Sequence, residues 1–177
     1  MRVLLISANR EDVDIRVPAL GLACIAAASE RAGHDTRLLD LLIEKAPQQV
    51  VARMLREFRP EAIGVSVRNI DDQRMRDPRF LLDQALDVVA WCKEGSSAPV
   101  ILGGAGFSIL PRPILNYLGA DMGIQGEGES TFIELLKRFQ AGEKTDGLPG
   151  LYQFGSAESV QRTFNKASPP QAAGYFN

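Results

Sequence analysis

The run Ala62-Ile63-Gly64-Val65-Ser66-Val67 decides how this chain folds. It is apolar almost without alternation, which marks a strand covered on both faces rather than one lying on a wet surface. Before it, Val51, Met54, Leu55 and Phe58 recur at helical spacing, and after it Leu81, Ala85, Val88 and Cys92 do the same. A buried strand between two amphipathic helices is the repeating unit of a parallel sheet. Working outward, the same alternation continues. Val3 to Ser7, Thr36 to Leu41, Pro99 to Leu102 and Met122 to Gln125 read as further strands. Pro18 to Ala32, Pro113 to Leu118 and the stripe Phe132, Leu135, Leu136, Phe139 read as further helices. The helix from Pro18 is dense in Ala and Gly, so it is expected to pack closely on the sheet.

Strands and helices in strict alternation predict an α/β fold, a flavodoxin-like doubly wound parallel sheet of five strands in the order 2-1-3-4-5. The six-stranded dinucleotide-binding variant is disfavoured, because the turn Ser7-Ala8-Asn9-Arg10-Glu11 has no glycine to bring backbone against a pyrophosphate. This domain is expected over residues 1–142. Gly147-Leu148-Pro149-Gly150 then breaks the chain. Leu151-Tyr152-Gln153-Phe154 and Val160-Gln161-Arg162-Thr163-Phe164 flank a five-residue loop, which predicts a small C-terminal β-hairpin within 143–165. Residues 166–177 are rich in Ser, Pro, Ala and Gln without an apolar stripe, and read as a linker to a downstream domain missing from this sequence.

Composition narrows the function. Twenty Lys and Arg against 22 Asp and Glu give a net charge of −2, which lacks the basic field that nucleic acid requires. The N-terminus lacks the apolar core of a secretory signal, and no stretch approaches the ~20 apolar residues of a membrane span, so the cytoplasm is the expected location. The two cysteines, Cys24 and Cys92, fit no zinc or iron–sulfur spacing and are expected to be buried small hydrophobes.

In an open parallel sheet, ligands bind beyond the carboxyl ends of the strands. The loop after the fourth strand, Gly103-Gly104-Ala105-Gly106, strips side chains from the place where a ligand would meet the sheet edge. After the fifth strand, Gly126-Glu127-Gly128-Glu129 enters a helix whose N-terminal N–H groups can hold a phosphate or ribose oxygen. The loop after the third strand is unusually long for an α/β connection and sets Arg68, Asn69 and Asp71 side by side. Other chemistries of this fold are missing their groups. The first loop has no acid cluster for magnesium, as a phosphoryl-accepting receiver needs, and no Ser/Thr/Gly-rich phosphate loop, as a flavodoxin needs. No G-x-S-x-G elbow is present. The lone histidine, His34, follows the first helix, at the edge opposite the binding loops, and is expected at the surface.

The run Pro18-Ala19-Leu20-Gly21-Leu22-Ala23, with Ala32-Gly33-His34, Gly64-Val65-Ser66-Val67-Arg68-Asn69-Ile70-Asp71, Leu102-Gly103-Gly104 and Gly126-Glu127-Gly128-Glu129, resembles the N-terminal cobalamin-binding domain of cobalamin-dependent radical S-adenosylmethionine enzymes. The likeness covers about residues 1–154. Cobalamin domains carry D-x-H-x-x-G after the first strand, S-x-L after the third and G-G after the fourth. Ser66-Val67-Arg68 matches the second, with arginine in place of leucine, and Gly103-Gly104 matches the third. The first is absent, since no histidine occurs in residues 8–17. The resemblance therefore implies cobalamin, as methylcobalamin or hydroxocobalamin, held base-off without a histidine ligand. It implies a buried benzimidazole tail beside Gly103, Gly104 and the turn Gly126-Glu127-Gly128, and a corrin ring over Val17, Pro18, Arg68 and Asn69, with Leu20, Ser66, Val67, Asp71, Ala105, Gly106 and Glu129 as further cofactor-binding residues.

The family's four-iron cluster needs a C-x-x-x-C-x-x-C triplet, which two distant cysteines do not supply. The resemblance thus implies a non-catalytic module. The iron–sulfur cluster, S-adenosylmethionine and small-molecule substrate would belong to a radical S-adenosylmethionine domain further along the parent chain, a methyltransferase or a related enzyme. The alternative is a free-standing nucleotide-binding or regulatory domain of the same fold.

Overall fold

The structure, a computed structural model, describes residues 1–11, 18–72 and 79–155. Six strands form one sheet: β1 (Arg2–Ser7), β2 (Asp35–Asp40), β3 (Ala62–Ser66), β4 (Val100–Gly103), β5 (Met122–Ile124) and β6 (Leu151–Gln153). Their order is β2-β1-β3-β4-β5-β6. The first five are parallel and follow the predicted order. The sixth is a difference: Leu151–Gln153, expected as the first arm of a separate hairpin, instead pairs antiparallel with Ile124–Met122. The turn before it explains why. Gly150, at φ +71°, lies so close to Gln125 that a Cβ would stand 2.9 Å from its carbonyl oxygen, and the Gln125 amide donates to the Gly150 carbonyl. That approach delivers the next residues into register with β5. The second arm and the linker, residues 160–164 and 166–177, lie outside the described residues.

Helices α1 (Leu20–Arg31), α2 (Pro47–Phe58), α3 (Leu82–Gly95), α4 (Ala105–Ile109), α5 (Pro111–Leu118) and α6 (Glu129–Ala141) cover the two faces. Successive side chains of a strand point to opposite faces, so each strand feeds two cores. Leu4, Ile6, Ile63, Val65, Leu102 and Phe107 pack against α2, α3 and α5 in one. Val3, Leu5, Ala62, Ile101 and Ile124 face α1 and α6 in the other. Helix α4 is an element that the sequence reading took for a glycine turn. Helix α1 does not pack closely, as its small residues suggested, for only Leu22 and Ser29 of its 12 residues are buried.

Two side chains differ from expectation. Cys24 is exposed while Cys92 is buried, because Cys24 lies on the side of α1 turned away from Leu22 and Ser29. His34 is 7% exposed and buried, not a surface histidine. Pairing of Arg2 with Asp35 draws His34 alongside Met1. There its Nδ1 stands 3.4 Å from the terminal ammonium and its Nε2 has no hydrogen-bond partner. Burial, with the ammonium second, pushes its pKa below the usual 6.5.

Candidate functional site

The strand register arranges the carboxyl ends of the sheet in two horizontal rows on the α1/α6 face. The upper row runs Asp40, Ser7, Ser66, Gly103 across β2, β1, β3 and β4. Two residues lower, about 6.6 Å down the sheet, the row Leu5, Gly64, Ile101 crosses β1, β3 and β4. Above these rows opens a cavity of about 770 Å³ lined from below by Leu5, Gly64 and Ile101, from the sides by Leu22, Ile25, Ile124 and Phe132, and at its mouth by Ser7, Asn9, Asp40, Ser66 and Arg68. That volume lies within the ~300–1,000 Å³ of small-molecule and cofactor sites.

Glycines make the space, for different reasons. A Cβ on Gly64 would stand 2.7 Å from a Leu5 methyl and 3.7 Å from the Phe132 ring. Its absence leaves room for the Leu5 side chain to lean across onto β3. At Gly104, φ is +96° and a Cβ would collide with the Val67 carbonyl at 2.6 Å. At Gly106, a Cβ would press on the Arg68 backbone at 3.0 Å. These two serve the joint itself, in which the Val67 carbonyl accepts from the Gly106 and Phe107 amides and hangs α4 from the end of β3. Gly103 differs, for a Cβ there would meet nothing nearer than the Ile124 carbonyl at 4.0 Å. Internal packing does not demand glycine at 103; an open cavity does.

The loops at the mouth are braced from the α3 side. Arg79 bonds both Asp72 and Glu11, Gln84 Nε2 donates to Glu11 at 2.6 Å, and Arg10 reaches Asp87 at 2.7 Å. The Asp72 hydrogen bond, then the Glu11 charge, holds the exposed Arg79 guanidinium above its usual pKa. This network ties the loop after β1 to the loop after β3, the two loops that present Asn9 and Arg68.

Of the residues singled out from sequence, Pro18, Leu20, Ser66, Arg68, Gly103, Gly104, Ala105, Gly126, Glu127, Gly128 and Glu129 line this one cavity. Val67 points into the opposite core, where it is 2% exposed, and Gly106 is buried at the α4 joint. Asn69 is exposed outside the lining, and Asp71 forms a backbone bridge with Phe80. Val17 lies outside the described residues. Sequence reasoning missed Gly64, Asp40, Ser108 and the apolar floor. Gly64 alone carried a signal, since glycine inside a buried strand marks a close approach.

The description B12 binding domain matches residues 6–136 of this sequence. The chain belongs to the B12-binding domain family. Tryptophan 2-C-methyltransferase of Streptomyces laurentii is 30% identical over 168 residues, which are 93% of this chain and 28% of that protein. The radical S-adenosylmethionine methyltransferase TsrM of Kitasatospora setae, solved with cobalamin and a [4Fe-4S] cluster bound, superposes with a TM-score of 0.81 at 29% identity, covering 86% of this chain and 27% of that one. The cobalamin-dependent S-adenosylmethionine radical enzyme OxsB, with aqua-cobalamin bound, shares the fold at a TM-score of 0.65 and 18% identity, covering 90% and 22% of the two chains. This B12-binding domain thus spans between 22% and 28% of these three relatives' length. Among the described residues, no helix is long and apolar enough to cross a membrane.

Proposed function

We propose that this B12-binding domain holds cobalamin base-off, without a histidine ligand to cobalt, as a module of a radical S-adenosylmethionine methyltransferase or related enzyme. The observation that carries the reading is the cavity, whose floor is apolar and whose mouth is polar. A nucleotide tail with a flat base at its inner end matches that polarity, while the amide-fringed corrin would rest over Pro18, Leu20 and Arg68 at the mouth. Gly103, open toward the cavity, and the Gly126-to-Glu129 turn would flank the tail. Loss of the histidine ligand follows from position. The loop after β1 carries no histidine, and His34 is enclosed beside Met1 at the opposite edge of the sheet.

Bound cobalamin would supply cobalt-centred methyl or electron transfer; this chain's residues bind and orient it. Residues 1–142 would form the binding domain, 143–165 its extension and 166–177 the connection to a domain carrying the iron–sulfur cluster, S-adenosylmethionine and the small-molecule substrate. A polyphosphate nucleotide suits the site less well, because among the described lining residues Asp40, Glu127 and Glu129 stand against the cation of Arg68.

Absorbance titration with hydroxocobalamin and methylcobalamin, alongside thermal melting, tests the reading. Saturation at about 100 times Kd stabilises by about 2.7 kcal/mol, worth several degrees for a domain of this size. A base-off spectrum with that shift is the expected result. A base-on spectrum would overturn the ligand-free geometry, and no response from folded protein would return the site to nucleotides.

A further inference from the structure

We infer that the cavity floor selects the lower base of the cofactor, admitting an apolar benzimidazole and rejecting a purine. This rests on the cobalamin reading and goes beyond it, since corrinoids share the ring and phosphodiester but differ in that base. The division of the lining by height carries the inference. Among the described residues, every polar side chain that lines the cavity belongs to the upper row or to the segments beyond it: Asp40, Ser7 and Ser66 in the row, then Asn9, Arg68, Ser108, Glu127 and Glu129. Below that row the lining is hydrocarbon, from Leu5, Ile101, Ile124 and Phe132, each under 5% exposed.

The floor's backbone offers no substitute. Gly64 lies in the central strand β3, in register with Leu5 of β1 and Ile101 of β4, so its N–H and C=O lie in the sheet ladder rather than facing the cavity. A dimethylbenzimidazole brings two methyl groups and a single free ring nitrogen into such a slot. Adenine adds two ring acceptors and an amine with two donors, all to be desolvated without partners. Sites lacking the matching polar group penalise such a ligand by the desolvation of each unpaired group. The shape agrees: the floor lies two residues below the upper row, and the missing Cβ of Gly64 is replaced there by a Leu5 methyl leaning across from β1.

The test compares three probes on the same chain, hydroxocobalamin, its adenine-based counterpart hydroxo-adeninylcobamide, and cobinamide, which lacks the nucleotide. Binding is read from the corrin spectrum and from the melting temperature. The expected result is cobalamin tighter than adeninylcobamide by about tenfold or more, with cobinamide also weaker than cobalamin. Equal affinity for the two base-bearing corrinoids would overturn the selection while leaving the cobalamin reading intact. Equal affinity for cobinamide and cobalamin would place the tail outside the cavity and overturn it as well. If folded protein binds none of the three, the cobalamin reading itself falls and the selection falls with it.

Discussion

On the face covered by α2, α3 and α5, a Cβ at Gly123 would stand 2.1 Å from the Phe107 ring; on the face covered by α1 and α6, a Cβ at Gly103 would meet nothing nearer than the Ile124 carbonyl at 4.0 Å. Both glycines lie at the carboxyl end of the same sheet. One is glycine because an aromatic ring already occupies its space, and the other because its space is kept open. The first face is packed at the density of protein interiors, where volume changes are felt directly. The second is packed in its lower half, around Leu135 and Leu136, and opens into the cavity in its upper half. One sheet thereby separates stability from binding, and substitutions on its two faces are expected to move different observables.

The largest effect is expected on the packed face. Leu115→Ala, at a side chain 1% exposed, should cost about 2–5 kcal/mol in denaturant unfolding and leave cobalamin affinity unchanged. A fall in affinity comparable to the fall in stability would show that the faces are coupled. Next, Gly123→Ala pushes a methyl into the Phe107 ring and should cost about 1–3 kcal/mol, again without moving affinity. On the open face, Gly103→Leu should leave the melting temperature of the empty protein where it was. It should weaken cobalamin by about tenfold, near 1.4 kcal/mol; a destabilised protein with unaltered affinity would refute the assignment of Gly103 to the cavity.

Smaller effects test the margins. The pKa of His34 is lowered in the folded protein, so the unfolded chain binds its proton more readily. Its contribution is present above pH 6.5 and is lost as pH falls through that value toward the lowered folded pKa. His34→Gln should flatten that slope between pH 6.5 and the folded pKa, measured by urea unfolding across pH. Smallest is a thiol count. Burial pushes the Cys92 thiol up to about 12, while Cys24 is exposed on α1. A disulfide reagent should titrate Cys24 alone in the native state and both thiols after unfolding.

That β1 to β5 run parallel was legible because most of them are apolar runs framed by helical stripes; β2, Asp35-Thr36-Arg37-Leu38-Leu39-Asp40, is not, and the strand order came from the fold class rather than from any residue. The loops after β4 and β5 were legible because glycine is concentrated there, and the loop after β3 because of its length. Position within the site was less so. Gly103, Gly104 and Gly106 look alike in sequence, and only the carbonyl of Val67 beneath two of them distinguishes joint from cavity. The two rows depend on register, which pairs Leu5 with Gly64 and Gly64 with Ile101 across segments far apart in the chain. The gap beneath α1 was invisible, since a helix pattern records which residues face inward but not how far the helix stands from its sheet. His34 and Cys24 were misjudged for a related reason. Each depends on what covers one particular side, and strand pairing or helix rotation decides that.

The antiparallel course of β6 also closes the sheet's edge without crowding the cavity. Leu151 begins level with Ile124, near the cavity's end of β5, and Gln153 ends level with Met122, nearer the other end. These residues therefore run away from the mouth, and none of the three lines the cavity.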